Sequence, residues 1–222
     1  MYAMAIGEKG ASQVSHPWLD GRLSKVESLS DTVRMWTFLA GNTAKGDLQA
    51  VGHDWRCLAQ DDHLGGIEAI LQTHLFAGYP RTINALATVR GLGVSPGVRV
   101  GEVDSSMWTE LGEGNCRTIY GSAYDRLRDR IAGLHPDIDR WMVEIGYGRI
   151  LSRPGLTLRE RELCVIAVLA GQNVAPQLSS HLRGAMRAGA TPVECTAILE
   201  QTDLVWGPEA RRQVDIVWGE LR

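Results

Sequence analysis

The chain predicts an all-α protein, and three observations carry that prediction. Apolar residues make up 44% of the 222 positions and recur with helical spacing. Helix-start signals punctuate the chain from Ser30 to Pro208. Phe is scarce (2) while Trp is common (7), and no long run of alternating β-branched residues occurs.

In chain order, Ser30 can cap a helix over residues 33–41, and a second helix covers residues 48–60. Asp61 and Asp62 start a third through residues 67–78, with Gly65 and Gly66 weakening its first turn. Pro80 opens a fourth over residues 81–90. The Gly- and Pro-rich residues 91–105 read as a linker. Residues 115–134 then carry charges on one side and Ile119, Tyr120, Tyr124, Leu127 and Ile131 on the other, as one amphipathic helix would. His135, Pro136 and Asp137 start a helix over residues 138–151. Thr157 with Glu160 forms a capping box, and Thr191, Pro192 and Glu194 make another start. The last helix begins near Pro208.

A faint internal repeat runs through these elements. Residues 69–71 precede Pro80 much as residues 197–199 precede Pro208, and this register sets His53 opposite His181. Leu39-Ala40-Gly41 echoes Leu169-Ala170-Gly171 at a register two residues away. The expected architecture is a tandem duplication of one antiparallel helical unit. It divides into a mobile N-terminal segment (1–18), an N-terminal half (19–100) and a C-terminal half (101–222).

Composition removes several function classes. The net charge is −3 without a basic stripe, so nucleic acid is not expected as a partner. The longest charge-free apolar run, residues 163–171, is far shorter than the ~20 residues a bilayer-spanning helix needs. The N-terminal residues lack the basic flank and apolar length of a secretory signal, and a cytoplasmic location is the expectation. Cys57, Cys116, Cys164 and Cys195 form no CxxC. The histidines lack HxxxH and HExxH spacing, and no phosphate-binding glycine loop occurs, so neither metal nor cofactor is expected.

Two residues carry the main chemical expectation. Glu162 shares a helical face with Val165, Ile166 and Leu169. A carboxylate in such surroundings loses hydration, which favours its protonated form and suits a general acid or base. The competing role is an ion pair with Arg159 at the helix start. His181 shares a face with Leu178, Leu182 and Ala185, as a proton donor or as a satisfied core histidine. Arg183 is an anchor for a substrate carboxylate or a surface residue. Tyr147 and Arg149 precede a turn and can line a pocket between the halves; Arg149 can equally cap a helix end. His74 and His53 are the candidates of the first half, each with a structural alternative.

The second half resembles the carboxymuconolactone decarboxylase family, which shares its fold with AhpD-type alkylhydroperoxidases. The resemblance rests on Tyr147-Gly148-Arg149, Arg153-Pro154-Gly155-Leu156, Arg159-Glu160-Arg161-Glu162-Leu163, His181-Leu182-Arg183-Gly184-Ala185 and residues 188–194. A weaker likeness in the first half runs through residues 74–80 and 84–86. It implies an AhpD-like helical bundle, a symmetric homo-oligomer (dimer or trimer), and a site built on Glu162 and His181. Laid on the AhpD motif, the two thiol positions fall on Val174 and Gln177. A thiol peroxidase needs a nucleophilic and a resolving thiol there.

Three functions follow as expectations. The first is a cofactor-independent lyase or isomerase that moves a proton beside a carbonyl of a small carboxylated or lactone-like substrate. The second is an AhpD-like thiol oxidoreductase, opposed by the missing CxxC. The third is a non-catalytic helical oligomer that binds a small molecule.

Overall fold

The computed structural model describes residues 21–94 and 103–222; the expected mobile segment and part of the expected linker lie outside them. All regular structure in the described residues is helical. The first unit comprises α1 (Asp31–Lys45), α2 (Leu48–Cys57), α3 (His63–Gln72) and α4 (His74–Gly91). An intervening layer follows: α5 (Trp108–Tyr120), α6 (Tyr124–Leu134), α7 (Pro136–Trp141) and a π-helical stretch, Met142–Ile150. The last unit is α8 (Leu158–Leu169), α9 (Ala175–Arg187), α10 (Pro192–Trp206) and α11 (Pro208–Gly219).

The start signals work as side-chain chemistry predicts. Ser30 Oγ accepts from the Val33 N–H, and complete capping boxes open α8 at Thr157/Glu160 and α10 at Thr191/Glu194. Each offsets orphan amides that would otherwise weaken a first turn by roughly 1 kcal/mol.

The two outer units repeat one arrangement. α1 packs on α2 and α3, α2 on α4, and α3 on α4. Likewise α8 packs on α9 and α10, α9 on α11, and α10 on α11. α1 lies against α8, and one apolar core runs through both units, from Val33 and Leu39 to Ile166, Ile198 and Val214. Across the join, each third helix sends a buried glutamine to the other unit's first helix. Gln72 bonds Arg161, and Gln201 accepts from Thr37.

The repeat register differs from the expected one. Aligning the starts of α2 and α9 sets His181 opposite Asp54 rather than His53. Asp54 is buried with its carboxylate on Asn42 at 2.8 Å, whereas His53 is exposed.

The intervening layer departs from expectation twice. The single helix over residues 115–134 breaks at Gly121 (φ 53°), where Arg187 Nη1 caps the Ile119 carbonyl at 2.7 Å. The helix over residues 138–151 becomes π-helical after Trp141. There the Tyr147 carbonyl accepts from Asn115 Nδ2 (3.2 Å) and Ser152 Oγ (2.8 Å), so side chains support the irregular stretch. This layer has its own small core of Cys116, Ile119, Tyr124, Val143, Tyr147 and Leu151. The tryptophans are mostly covered within the chain: Trp36, Trp55 and Trp218 are buried, and Trp206 donates to the Ala167 carbonyl. Trp141 is 48% exposed.

Candidate active site

Two adjacent charged residues on α8, Arg161 and Glu162, are both fully buried. Consecutive helical positions diverge by about 100°, so the two side chains enter different environments. Arg161 faces α3, where its Nη1 donates to Gln72 Oε1 and its Nη2 to Glu68 Oε2, both at 3.1 Å. Its Nη2 also donates to the Arg153 carbonyl at 2.6 Å. Arg153 completes the network, donating from Nε and Nη2 to Glu68 at 3.0 and 2.8 Å. A buried carboxylate with two guanidinium partners avoids the penalty of an unpaired charge. The network ties α8 to α3 on the side away from Glu162.

Glu162 faces α9 instead. His181 Nδ1 lies 2.8 Å from Glu162 Oε2, with His181 only 6% exposed. This is the acid–imidazole meeting expected from the sequence; Arg159, the alternative partner, pairs with Glu194 at 2.6 Å. With the carboxylate ionised, the Nδ1–H donates to it and Nε2 is left as the basic nitrogen. Close approach depends on Gly184. A Cβ there would lie 2.9 Å from Glu162 Oε2 and 2.6 Å from Ile119 Cγ2, so a larger residue would push α5 and the carboxylate away. Glu162 Oε1 is buried without a hydrogen-bond partner among the described residues.

Aromatic groups border the pair. The Phe76 ring meets the His181 ring edge-on at 5.8 Å. The Tyr120 and Tyr147 hydroxyls are 2.8 Å apart. Burial raises both phenol pKa values, and the Glu162 charge raises them further, so the carboxylate acts on both rings.

The remaining sequence candidates are placed less centrally. Tyr147 is brought in, buried in the small core. Arg183 is exposed, its Nη1 donating to Ser179 Oγ one turn back. Arg149 is exposed with its guanidinium over Trp108, 5.1 Å from the ring centre. His74 bonds the Leu71 carbonyl at 2.6 Å and stacks on Tyr79, while its neighbours Leu75 and Phe76 reach the site side. His53 is exposed on α2. The sequence places Tyr120 only on an apolar face and does not reveal its pairing with Tyr147. The break after it at Gly121 was the available signal.

Residues 136–217 match the model of the carboxymuconolactone decarboxylase family. The family segment starts at α7 and carries Tyr147, Glu162 and His181; Tyr120 and Phe76 come from outside it. Two curated relatives, both named Peroxisomal protein 2, are similar to the chain. The Schizosaccharomyces pombe protein is 30% identical, over 56% of this chain and 60% of its own length. The Saccharomyces cerevisiae protein is 26% identical, over 55% of this chain and 53% of its own. The chain thus spans between half and two thirds of these relatives.

Around the matched segment, the thiols do not favour redox chemistry. Burial raises Cys116 and Cys195 to about 12 and Cys57 to about 11, and raises Cys164 too. Val174 and Gln177 occupy the AhpD thiol positions. A shallow cavity of about 330 Å³ lies elsewhere, lined by Ser24, Val26, Val193, Thr196, Glu200 and Arg222. No described helix is long and apolar enough to cross a membrane.

Proposed function

We propose that the protein is a cofactor-independent lyase or isomerase, in which His181 moves a proton beside a carbonyl of a small carboxylated or lactone-like substrate. The observation that carries this reading is the buried 2.8 Å contact between His181 Nδ1 and Glu162 Oε2. Glu162 fixes the tautomer and offsets the charge of the imidazolium that forms when Nε2 takes a proton. In a decarboxylation, the C–C bond to the leaving carboxylate breaks and its electron pair enters an enolate. Carbon dioxide departs, and His181, having taken a proton from water at Nε2, then passes it to the carbon. The high thiol pKa values speak against the peroxidase alternative.

Carboxymuconolactone, named by the family, and simple β-keto acids are the first substrates to assay, by carbon dioxide release and deuterium incorporation. His181→Ala and Glu162→Gln are each expected to lower turnover by ~100-fold or more with near-native circular dichroism. Wild-type rates in either variant would remove that residue from the mechanism. If none of these compounds turns over but a small molecule binds in the 330 Å³ cavity, the non-catalytic binding reading takes over.

The active species in this reading is a homo-oligomer. Ile138 and Trp141 on α7 and Ile145 in the π-helical stretch are exposed apolar residues close together in the chain, which a second copy would cover. Light scattering should give a mass above the 24.3 kDa of one chain; a monodisperse monomer at micromolar concentration would count against assembly. For the compartment, the names of both relatives favour the peroxisome over the cytoplasm. Imaging of a fluorescent fusion in yeast tests this, and a diffuse signal would favour the cytoplasm.

A further inference from the structure

Two paired phenols, Tyr147 buried and Tyr120 half-buried, lie near the Glu162–His181 pair and need an account of their protons. The hydroxyls of Tyr120 and Tyr147 share one hydrogen bond, 2.8 Å long. Two O–H groups bring two protons, and that bond uses one. Tyr147 is the more deeply buried ring, and its backbone is clamped by Asn115 and Ser152. Tyr120 ends α5 and is only half-buried. Leu75 packs on the same small core and is also half-buried, as is Phe76, which meets His181. Tyr120, Leu75 and Phe76 are thus less deeply buried than Glu162, His181 and Tyr147. Among the described residues the Tyr147 hydroxyl bonds the Tyr120 hydroxyl, and either oxygen can be the donor. With Tyr147 as the donor, the Tyr120 proton is left for a third group.

We propose that Tyr120 is a catalytic residue whose hydroxyl donates a hydrogen bond to the carbonyl oxygen of the substrate and holds the enolate that forms there. The proposal rests on the reading of His181 as the proton carrier. Tyr147 is the positioning residue: by donating to the Tyr120 oxygen it polarises that hydroxyl and strengthens it as a donor. The helix end is held from α9, where Arg187 Nη1 donates to the Ile119 carbonyl, one residue before Tyr120. The reaction step balances within the site. His181 takes a proton from the carbon beside the carbonyl, and the C–H electron pair becomes the enolate C=C bond. The carbonyl π pair moves onto the oxygen, which Tyr120 O–H stabilises. Return of the proton to carbon restores the imidazole. A donor aimed at an oxygen where charge develops commonly contributes ~100-fold or more. The substrate class is thereby narrowed to planar carbonyl compounds with an acidic neighbouring C–H, or β-keto acids that give the same enolate on losing carbon dioxide.

The test uses 4-nitrophenolate, a planar oxyanion on an sp² carbon, as an enolate mimic followed by its visible absorbance at pH 8. The intact wild-type protein is expected to bind it with a shifted absorbance band. Tyr120→Phe should weaken binding by ~10-fold or more and remove the band shift, and Tyr147→Phe should weaken it by ~3-fold. Equal binding by wild type and Tyr120→Phe overturns the proposal, as does failure of the wild type to bind the probe at millimolar concentration. Should Tyr120→Phe not fold, Tyr147→Phe decides, and unchanged binding with an unchanged band overturns the proposal. Binding of the mimic needs no proton transfer. Normal turnover by His181→Ala would therefore sink the reading of the dyad without touching the Tyr120 result.

Discussion

The two four-helix units share a plan and differ in what they bury at one equivalent position. In α9, six residues after the helix start, His181 meets an acid on α8. In α2, at the same count, Asp54 meets an amide on α1, Asn42. The second unit thus pairs a proton donor with a proton acceptor, an arrangement that can pass a proton to a third molecule. The first unit pairs a carboxylate with an amide whose N–H protons do not exchange roles with it, and the result is an anchor between helices. Similar packing therefore does not imply similar chemistry; the identity of one side chain on each of two neighbouring helices decides it.

The largest expected effect tests that contrast directly. His181→Ala should abolish most turnover, while Asp54→Asn keeps it at the wild-type level, both read in the carbon dioxide release assay. A loss of activity in Asp54→Asn comparable to that of His181→Ala would mean that the first unit also carries chemistry.

The next effect concerns stability. Burial, more than any neighbouring charge, raises the Asp54 carboxyl to about 7, with the Asn42 hydrogen bond opposing the rise and Asp47 adding to it. In the unfolded chain the group titrates at about 3.9. The folded state therefore binds the proton more tightly. This contribution to stability is fully present below about pH 4 and is lost as pH rises through about 7. Urea unfolding of the wild type should show a decline on the order of 2–4 kcal/mol from this group between those limits. Asp54→Asn should flatten the decline; an unchanged pH profile would show that the carboxyl is not the source.

The smallest effect tests the likeness rather than the difference. Gly78 kinks α4 near its start and Gly207 immediately precedes α11, at φ 79°, ψ 165° and φ 91°, ψ 172°. That backbone region is almost closed to residues with a Cβ. Gly78→Ala and Gly207→Ala should each lower unfolding free energy by about 1–3 kcal/mol, and by similar amounts. A large loss at one and none at the other would break the equivalence of the two turns.

Much of the frame was legible because capping and face periodicity are local. Thr157, Thr191 and Ser30 mark helix starts through bonds reaching only three residues on. Glu162 and His181 were legible as inward-facing polar groups, since each shares a face with apolar neighbours. Less legible was the layer between the units. Tyr120 reads as one more apolar position on an amphipathic face, and its pairing with Tyr147 emerges only where Gly121 ends the helix. Arg183 and Arg149 have the chemistry of carboxylate anchors, but the packing of α9 and of the π-helical stretch turns them outward. His53 fell one position from the inward face, because a repeat inferred from a few anchors carries an uncertainty of a residue or two, and one residue on a helix is about 100°.

From the order of residues alone came the all-helical class, the helix starts, the missing thiol pair at Val174 and Gln177, and the two groups suited to proton transfer. These depend on bonds and spacings within one or two turns. Tertiary structure decided the 2.8 Å contact between Glu162 and His181, the separate burial of Arg161 with Glu68, and the pairing of Tyr120 with Tyr147. Those contacts join residues 19 to 93 positions apart in the chain. Their distances are set by how α3, α5, α8 and α9 pack together, which no local pattern encodes.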